Sequence, residues 1–183
     1  MPDAPDLSAP SGPVVALVAG RIGGIGYVDG AGAGARFFNP RGTAFYGGNL
    51  YVADMNNHVI RKIVPSTGVV STIAGKPLAS GSADGIGAAA RFNRPHGLCS
   101  DGAGNLYVSD MRNDTIRQIV LATGAVSTLA GSPGQGSSND ATGAAARFDH
   151  PHGIACDGAG NVFVADTYNE TMRDFVRQNQ LIA

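Results

Sequence analysis

One seven-residue block occurs three times in this chain, at intervals of 56 positions. It reads Gly-Asn-Leu-Tyr-Val-Ala-Asp ending at Asp54, Gly-Asn-Leu-Tyr-Val-Ser-Asp ending at Asp110, and Gly-Asn-Val-Phe-Val-Ala-Asp ending at Asp166. A period this long means a stack of similar supersecondary units, each of which needs neighbours to bury its faces. Closed rings of β-sheet units usually contain about four to eight of them. Three units therefore make an arc and leave two faces to be accounted for.

The rest of the repeat is in register with these blocks. Upstream of each lie Ala35-Arg36-Phe37, Ala90-Arg91-Phe92 and Ala146-Arg147-Phe148, then Pro40, Pro95 and Pro151, each followed after one residue by Gly42, Gly97 or Gly153. Downstream lie Asn57, Asn113 and Asn169, then Ile60-Arg61, Ile116-Arg117 and Met172-Arg173. Each unit reads as four short strands, a to d. In the second unit these are 97–100, 105–109, 115–120 and 126–130: runs of Val, Ile, Leu, Thr and Tyr bounded by Gly, Asn, Asp and Pro. Asp101-Gly102-Ala103-Gly104-Asn105 and Asp157-Gly158-Ala159-Gly160-Asn161 read as hairpin turns. No segment carries a helical period, and residues 168–180 align with strand c. The chain is expected to be all-β.

The Ala-Arg-Phe-x-x-Pro-x-Gly, Gly-Asn-x-(Tyr/Phe)-Val-x-Asp and Asn-x-x-(Ile/Met)-Arg stretches, repeated in this order over roughly residues 14–178, resemble the NHL repeat family of β-propellers. The resemblance implies four-stranded blades and a ring that typically has six of them. The chain would then be half a ring, with blade one at 37–75, blade two at 92–131 and blade three at 148–183, after a leader at 1–12.

The segment 14–20, Val-Val-Ala-Leu-Val-Ala-Gly, matches the d strands ending at Gly75 and Gly131 but has no a, b or c strand before it. Blade three has the opposite defect, since little sequence follows its strand c. Three blades cover half a circle, so the spare d strand is not expected to reach the third blade of its own chain. It is placed to complete the third blade of a second copy. That predicts a twofold homodimer with a swapped N-terminal strand, closed dimers being the commonest oligomers and bare blade faces being association surfaces. A segment of a longer propeller would share these features, and this alternative stays open.

Composition narrows the function. Lys plus Arg total 13 and Asp plus Glu 14, for a net charge of −1. No nucleic-acid partner is expected from that balance, because phosphate binding calls for a basic face. No apolar run reaches the ~18 residues of a membrane span, so no membrane partner is expected. Residues 1–12 lack the basic start of a secretory signal, and the default expectation is a cytoplasmic protein. The two cysteines, Cys99 and Cys156, sit one register apart in their strands. They are expected on opposite faces of different blades, and so unpaired.

The chemistry is sparser than the frame. Phosphate loops, Gly-x-Ser-x-Gly, His-Glu-x-x-His and Cys-x-x-Cys are all missing from the sequence. The long d-to-a connections carry Asp29, Asp84 and Asp140, one firm carboxylate each, which is thin for calcium. Asp54, Asp110 and Asp166 with the turn asparagines read as turn formers. Arg61, Arg117 and Arg173 read as bridges to turn carboxylates, and Phe37, Phe92 and Phe148 as wedges between blades.

The best candidate site is the row after the prolines. Arg41, His96 and His152 occupy equivalent places at the start of strand a, nearest the ring axis. Around it, the b-to-c turns vary within a constant frame and present His58, Arg112 and Tyr168, which suits a binding face. These six residues are the predicted ligand contacts, on a non-catalytic binding or scaffold propeller for a protein, peptide or small ligand. No cofactor is implied. The alternative is a metal-dependent lyase or hydrolase whose metal sits at the axis near His96 and His152.

Overall fold

The computed structural model describes residues 15–176, with side chains to residue 174. The predicted leader at 1–12 and the tail beyond 176 lie outside the described residues. All sheets are antiparallel, and the helical elements among the described residues are six single 3-10 turns.

The first sheet contains β1 (Gly30–Ala31), β2 (Pro40–Tyr46), β3 (Asn49–Asp54), β4 (Val59–Val64) and β5 (Val69–Gly75), in the order β1-β5-β4-β3-β2. The second contains β6 (Gly85–Ile86), β7 (Pro95–Ser100), β8 (Asn105–Asp110), β9 (Thr115–Val120) and β10 (Ala125–Gly131), ordered β6-β10-β9-β8-β7. The third contains β11 (Pro151–Cys156), β12 (Asn161–Asp166) and β13 (Thr171–Val176). Strands a to d of the repeat are thus β2–β5 and β7–β10. The long connections, read as loops from the sequence, also place short strands β1 and β6 on the outer edges of β5 and β10.

Alternation with period 2 gives each sheet two apolar faces. Consecutive sheets stack face to face: Tyr51, Ala53, Ile60 and Ala74 of the first pack against Phe92, Leu98, Leu106 and Val108 of the second. Tyr107 and Ile116 of the second then pack against Phe148, Val162 and Val164 of the third. The innermost strands β2, β7 and β11 lie side by side. Their contact requires glycine: a Cβ on Gly42 would lie 2.6 Å from the His96 carbonyl oxygen, and one on Gly97 would strike the His152 carbonyl.

The cysteines correct the sequence reading. Cys99 on β7 and Cys156 on β11 form a disulfide with a Cα–Cα distance of 5.7 Å. They do point to opposite faces of their own sheets. In a stack, however, the far face of one sheet meets the near face of the next, so opposite facing brings the two sulfurs together. Residues 15–20 join no sheet of this chain, and Val15, Leu17 and Val18 are exposed.

Candidate functional site

The site stands on a polar frame that the repeat builds at the turn end of each sheet. After β3 the chain makes a 3-10 turn at Met55–Asn57 and leaves it through His58 at φ 59°. Inside this turn Asp54 is buried and accepts from the Phe38 N–H, the Asn57 amide and Arg61 at 2.8 Å each. The second guanidinium nitrogen of Arg61 donates to Asp29 at 2.7 Å, and Phe37 lies 4.9 Å beneath the cation. The second sheet repeats the set with Asp110, Asn113, Arg117, Asp84 and Phe92. The third repeats it with Asp166, Asn169, Arg173, Asp140 and Phe148.

The structural reading of these residues therefore holds. The aspartates of the long connections each accept from an arginine of their own sheet. Burial pushes the Asp110 carboxyl up to about 6, against the opposing pull of Arg117, the Asn93 N–H and Asn113.

On this frame the three axial residues come together. His96 and His152 stack with ring centroids 4.4 Å apart and planes 12° from parallel. Arg41 is close enough that its charge acts on both rings. Pro40, Arg41, Thr43, His96 and Ile154 help to line an open cleft of about 450 Å3 along the inner strands. Burial is the main cause that holds both imidazoles below the usual 6.5; for His96 it is followed by its stacked neighbour and Arg41, for His152 by His150 and Arg41. The pair is therefore neutral near pH 7: two stacked acceptor-and-donor rings beside a fixed cation.

The rim residues divide. Arg112 and Tyr168 are exposed on the 3-10 turns, where a ligand can reach them. His58 is already engaged, since its Nδ1 accepts the Arg94 N–H at 3.1 Å across the junction between sheets one and two. The sequence reading missed His150. Its ring stacks on Tyr168 at 4.2 Å, its Nδ1 lies 2.6 Å from Asp149, and its backbone N–H donates to Asp114 at 2.9 Å. Among the described residues, Asp114, Asp149 and His150 are the group spaced closely enough to share a metal ion. The axial imidazoles have no part in it. The available signal was positional: His150 precedes Pro151 as Asn39 and Arg94 precede their prolines, all three at positive φ.

The neutral axial pair sets a pH dependence. A histidine held below 6.5 binds its proton more readily in the unfolded chain, so its stabilising effect is complete above 6.5 and is lost as pH falls below it. Asp110 has the opposite sign, and its contribution fades as pH rises toward about 6. Comparison with a His96→Asn/His152→Asn variant cancels the Asp110 effect. Urea midpoints at about pH 7.5 and about pH 5 are expected to fall more for the parent than for the variant. Equal falls would mean that the two imidazoles titrate normally.

Comparison with known proteins places this arrangement. The NHL repeat pattern matches residues 92–119. NHL repeat-containing protein 2 of Gallus gallus is 35% identical over 131 residues, which cover 67% of this chain and 18% of that protein. The chain thus spans less than a fifth of this curated relative. Among solved structures, a protein of unknown function from Bacteroides thetaiotaomicron VPI-5482 matches with TM-score 0.66 and 29% identity, over 70% of this chain and 32% of that one. An auxiliary nutrient binding protein from the same organism matches with TM-score 0.60 and 26% identity, over 72% and 36%. The three-part motif repeated in register, the all-antiparallel stacked sheets and these relatives agree, and the chain belongs to the NHL repeat family.

Proposed function

We propose that the chain is a non-catalytic binding propeller segment: each sheet is one blade, the three blades are half of a six-bladed ring, and two copies complete it. Its ligand, a protein, peptide or small molecule, is held at the axial cleft and over the 3-10 turns. The observation that carries this reading is the gathering of Arg41, His96 and His152 at the mouth of the inner strands. A guanidinium beside neutral imidazoles suits a ligand with a carboxylate or another anionic group and a flat polar surface. Tyr168 and Arg112 on the rim add stacking and charge. A nutrient-binding protein among the similar structures fits the same reading.

The test is a thermal-shift panel of short peptides, carboxylic acids and oligosaccharides. At least one member is expected to raise the melting temperature of the parent and to lose that effect in Arg41→Ala and in His152→Ala. A panel without hits, or a shift that survives both substitutions, would remove the axial site from the proposal.

The second reading, a metal-dependent enzyme, is favoured by the Asp114–Asp149–His150 group alone, which lies at the rim of the junction between blades two and three. Stoichiometric Zn2+ or Ca2+ in protein purified without a histidine tag, lost on Asp149→Ala, would move the assignment toward it. The Cys99–Cys156 bond also leads us to favour an oxidising compartment over the cytoplasm as the working location.

A further inference from the structure

From the geometry of the two internal junctions we infer the surface by which the ring closes: the far face of blade three receives the near face of blade one of a second copy, in the register that joins blades two and three. This rests on the half-ring reading above. It assigns that reading its contacts and makes the axial site a shared one.

The far face of blade three is bare where its equivalents are covered. Tyr107 is fully buried and its equivalent Phe163 is 40% exposed; Ile116 is fully buried and Met172 is 74% exposed. On the near face of blade one Val52, Ile63 and Val70 are buried with Ala35 and packed by Phe37, while Phe45 is left 64% exposed where Cys156 of blade three is sulfur-bonded to its neighbour. The repeat therefore sets Phe45 opposite Ala155, the equivalent of Cys99.

Two backbone features point to the same junction. At each internal junction the residue leaving the 3-10 turn accepts the N–H of the residue before the next blade's proline: His58 takes Arg94 and Asp114 takes His150. Glu170 leaves the third turn at φ 56° with an exposed carboxylate, and Asn39 stands before Pro40 at the same positive φ. Glu170 of one copy is thus set to accept Asn39 N–H of the other. The glycine pattern agrees. Gly42 and Gly97 are needed where the next blade's carbonyl presses close, whereas among the described residues a Cβ on Gly153 would meet Ala165 alone, at 3.5 Å. Glycine at 153 fits a closing backbone at Arg41 of the second copy.

A second copy, rather than an unrelated protein, is the occupant because the chain carries both halves of the closure. Residues 15–20 have the composition of a d strand and join no sheet, while β13 has no neighbour on its outer side among the described residues. Closure sets Arg41 of the second copy beside His152, as Arg41 already stands beside His96. Each axial site then draws on both chains.

The experiment introduces Phe45→Cys and Ala155→Cys together in the full chain, leaving Cys99 and Cys156 in place. Oxidised protein is expected to run at twice the 18.5 kDa chain mass on a non-reducing gel, and neither single variant is expected to do so. Light scattering is run in parallel, with Gly153→Ala as the second variant. It is expected to fold normally by circular dichroism, yet to dissociate at concentrations where the parent is dimeric. A dimer without the cross-link, or one indifferent to Gly153→Ala, overturns this register and leaves the ring reading standing. A parent that is monomeric and does not cross-link overturns both and gives the face to a following blade of a longer chain. A ladder of cross-linked oligomers overturns closure.

Discussion

Replacing Arg117 with alanine lowers the stability of the folded chain by about 3–5 kcal/mol, the cost of stranding a buried charge. The guanidinium is wholly buried and holds Asp110 at 2.9 Å, itself wholly buried, and the Arg91 carbonyl at 2.9 Å. Without it, Asp110 keeps the N–H of Asn93 and the Asn113 amide but loses the cation paired with it. Loss of the lowering pull of Arg117 moves the carboxyl further up from about 6, and the turn that carries Arg112 and Asp114 loosens with it.

The control is the other end of the same guanidinium. Asp84 lies 2.8 Å from Arg117 but its side chain is half exposed, so Asp84→Ala costs about 1 kcal/mol or less. Denaturant melts of the two variants separate the cases. Equal losses would mean that burial of the inner pair contributes little, and that the repeated Asp-Asn-Arg set is a product of turn geometry alone.

Removing the disulfide gives the second large effect. Cys99 and Cys156 are 57 residues apart, and a cross-link closing a loop of that size stabilises by roughly 4 kcal/mol in the chain-entropy account, with about 2–4 typical of measurement. Cys99→Ala/Cys156→Ala is expected to lower the urea midpoint by a corresponding amount, and reductant is expected to lower the parent's midpoint and leave the variant's unchanged. Native protein should be refractory to thiol labelling until it is reduced. A midpoint insensitive to reductant, with two labelled thiols in the untreated protein, would show that the bond does not form and would return the location to the cytoplasmic expectation. The bond joins β7 of the second sheet to β11 of the third, so its loss should loosen the stack on which the His96–His152 pair depends.

Much of the frame was legible in the residues because its causes are local. Asp54, Asp110 and Asp166 accept from donors within their own turns, three and seven residues on, and spacing reports such contacts directly. Strand bounds follow the alternation of Val, Ile, Leu and Tyr, and Pro40, Pro95 and Pro151 mark strand starts. That Arg41, His96 and His152 form one row was legible because equivalent positions of a stacked repeat fall side by side.

What the sequence by itself determined is the unit: four strands, a polar turn, an aromatic wedge, and which side chains share a face. What only the tertiary structure decided is which face lies against which. Cys99 and Cys156 alternate to opposite sides and yet bond. Asp29, Asp84 and Asp140 look like free loop carboxylates and yet close on arginines 32 or 33 positions away. His150 finds Asp114 across a junction 36 positions wide. Alternation fixes a side chain's direction relative to its own strand. The partner in that direction belongs to another unit, and it is set by the stacking of sheets, which no local spacing records.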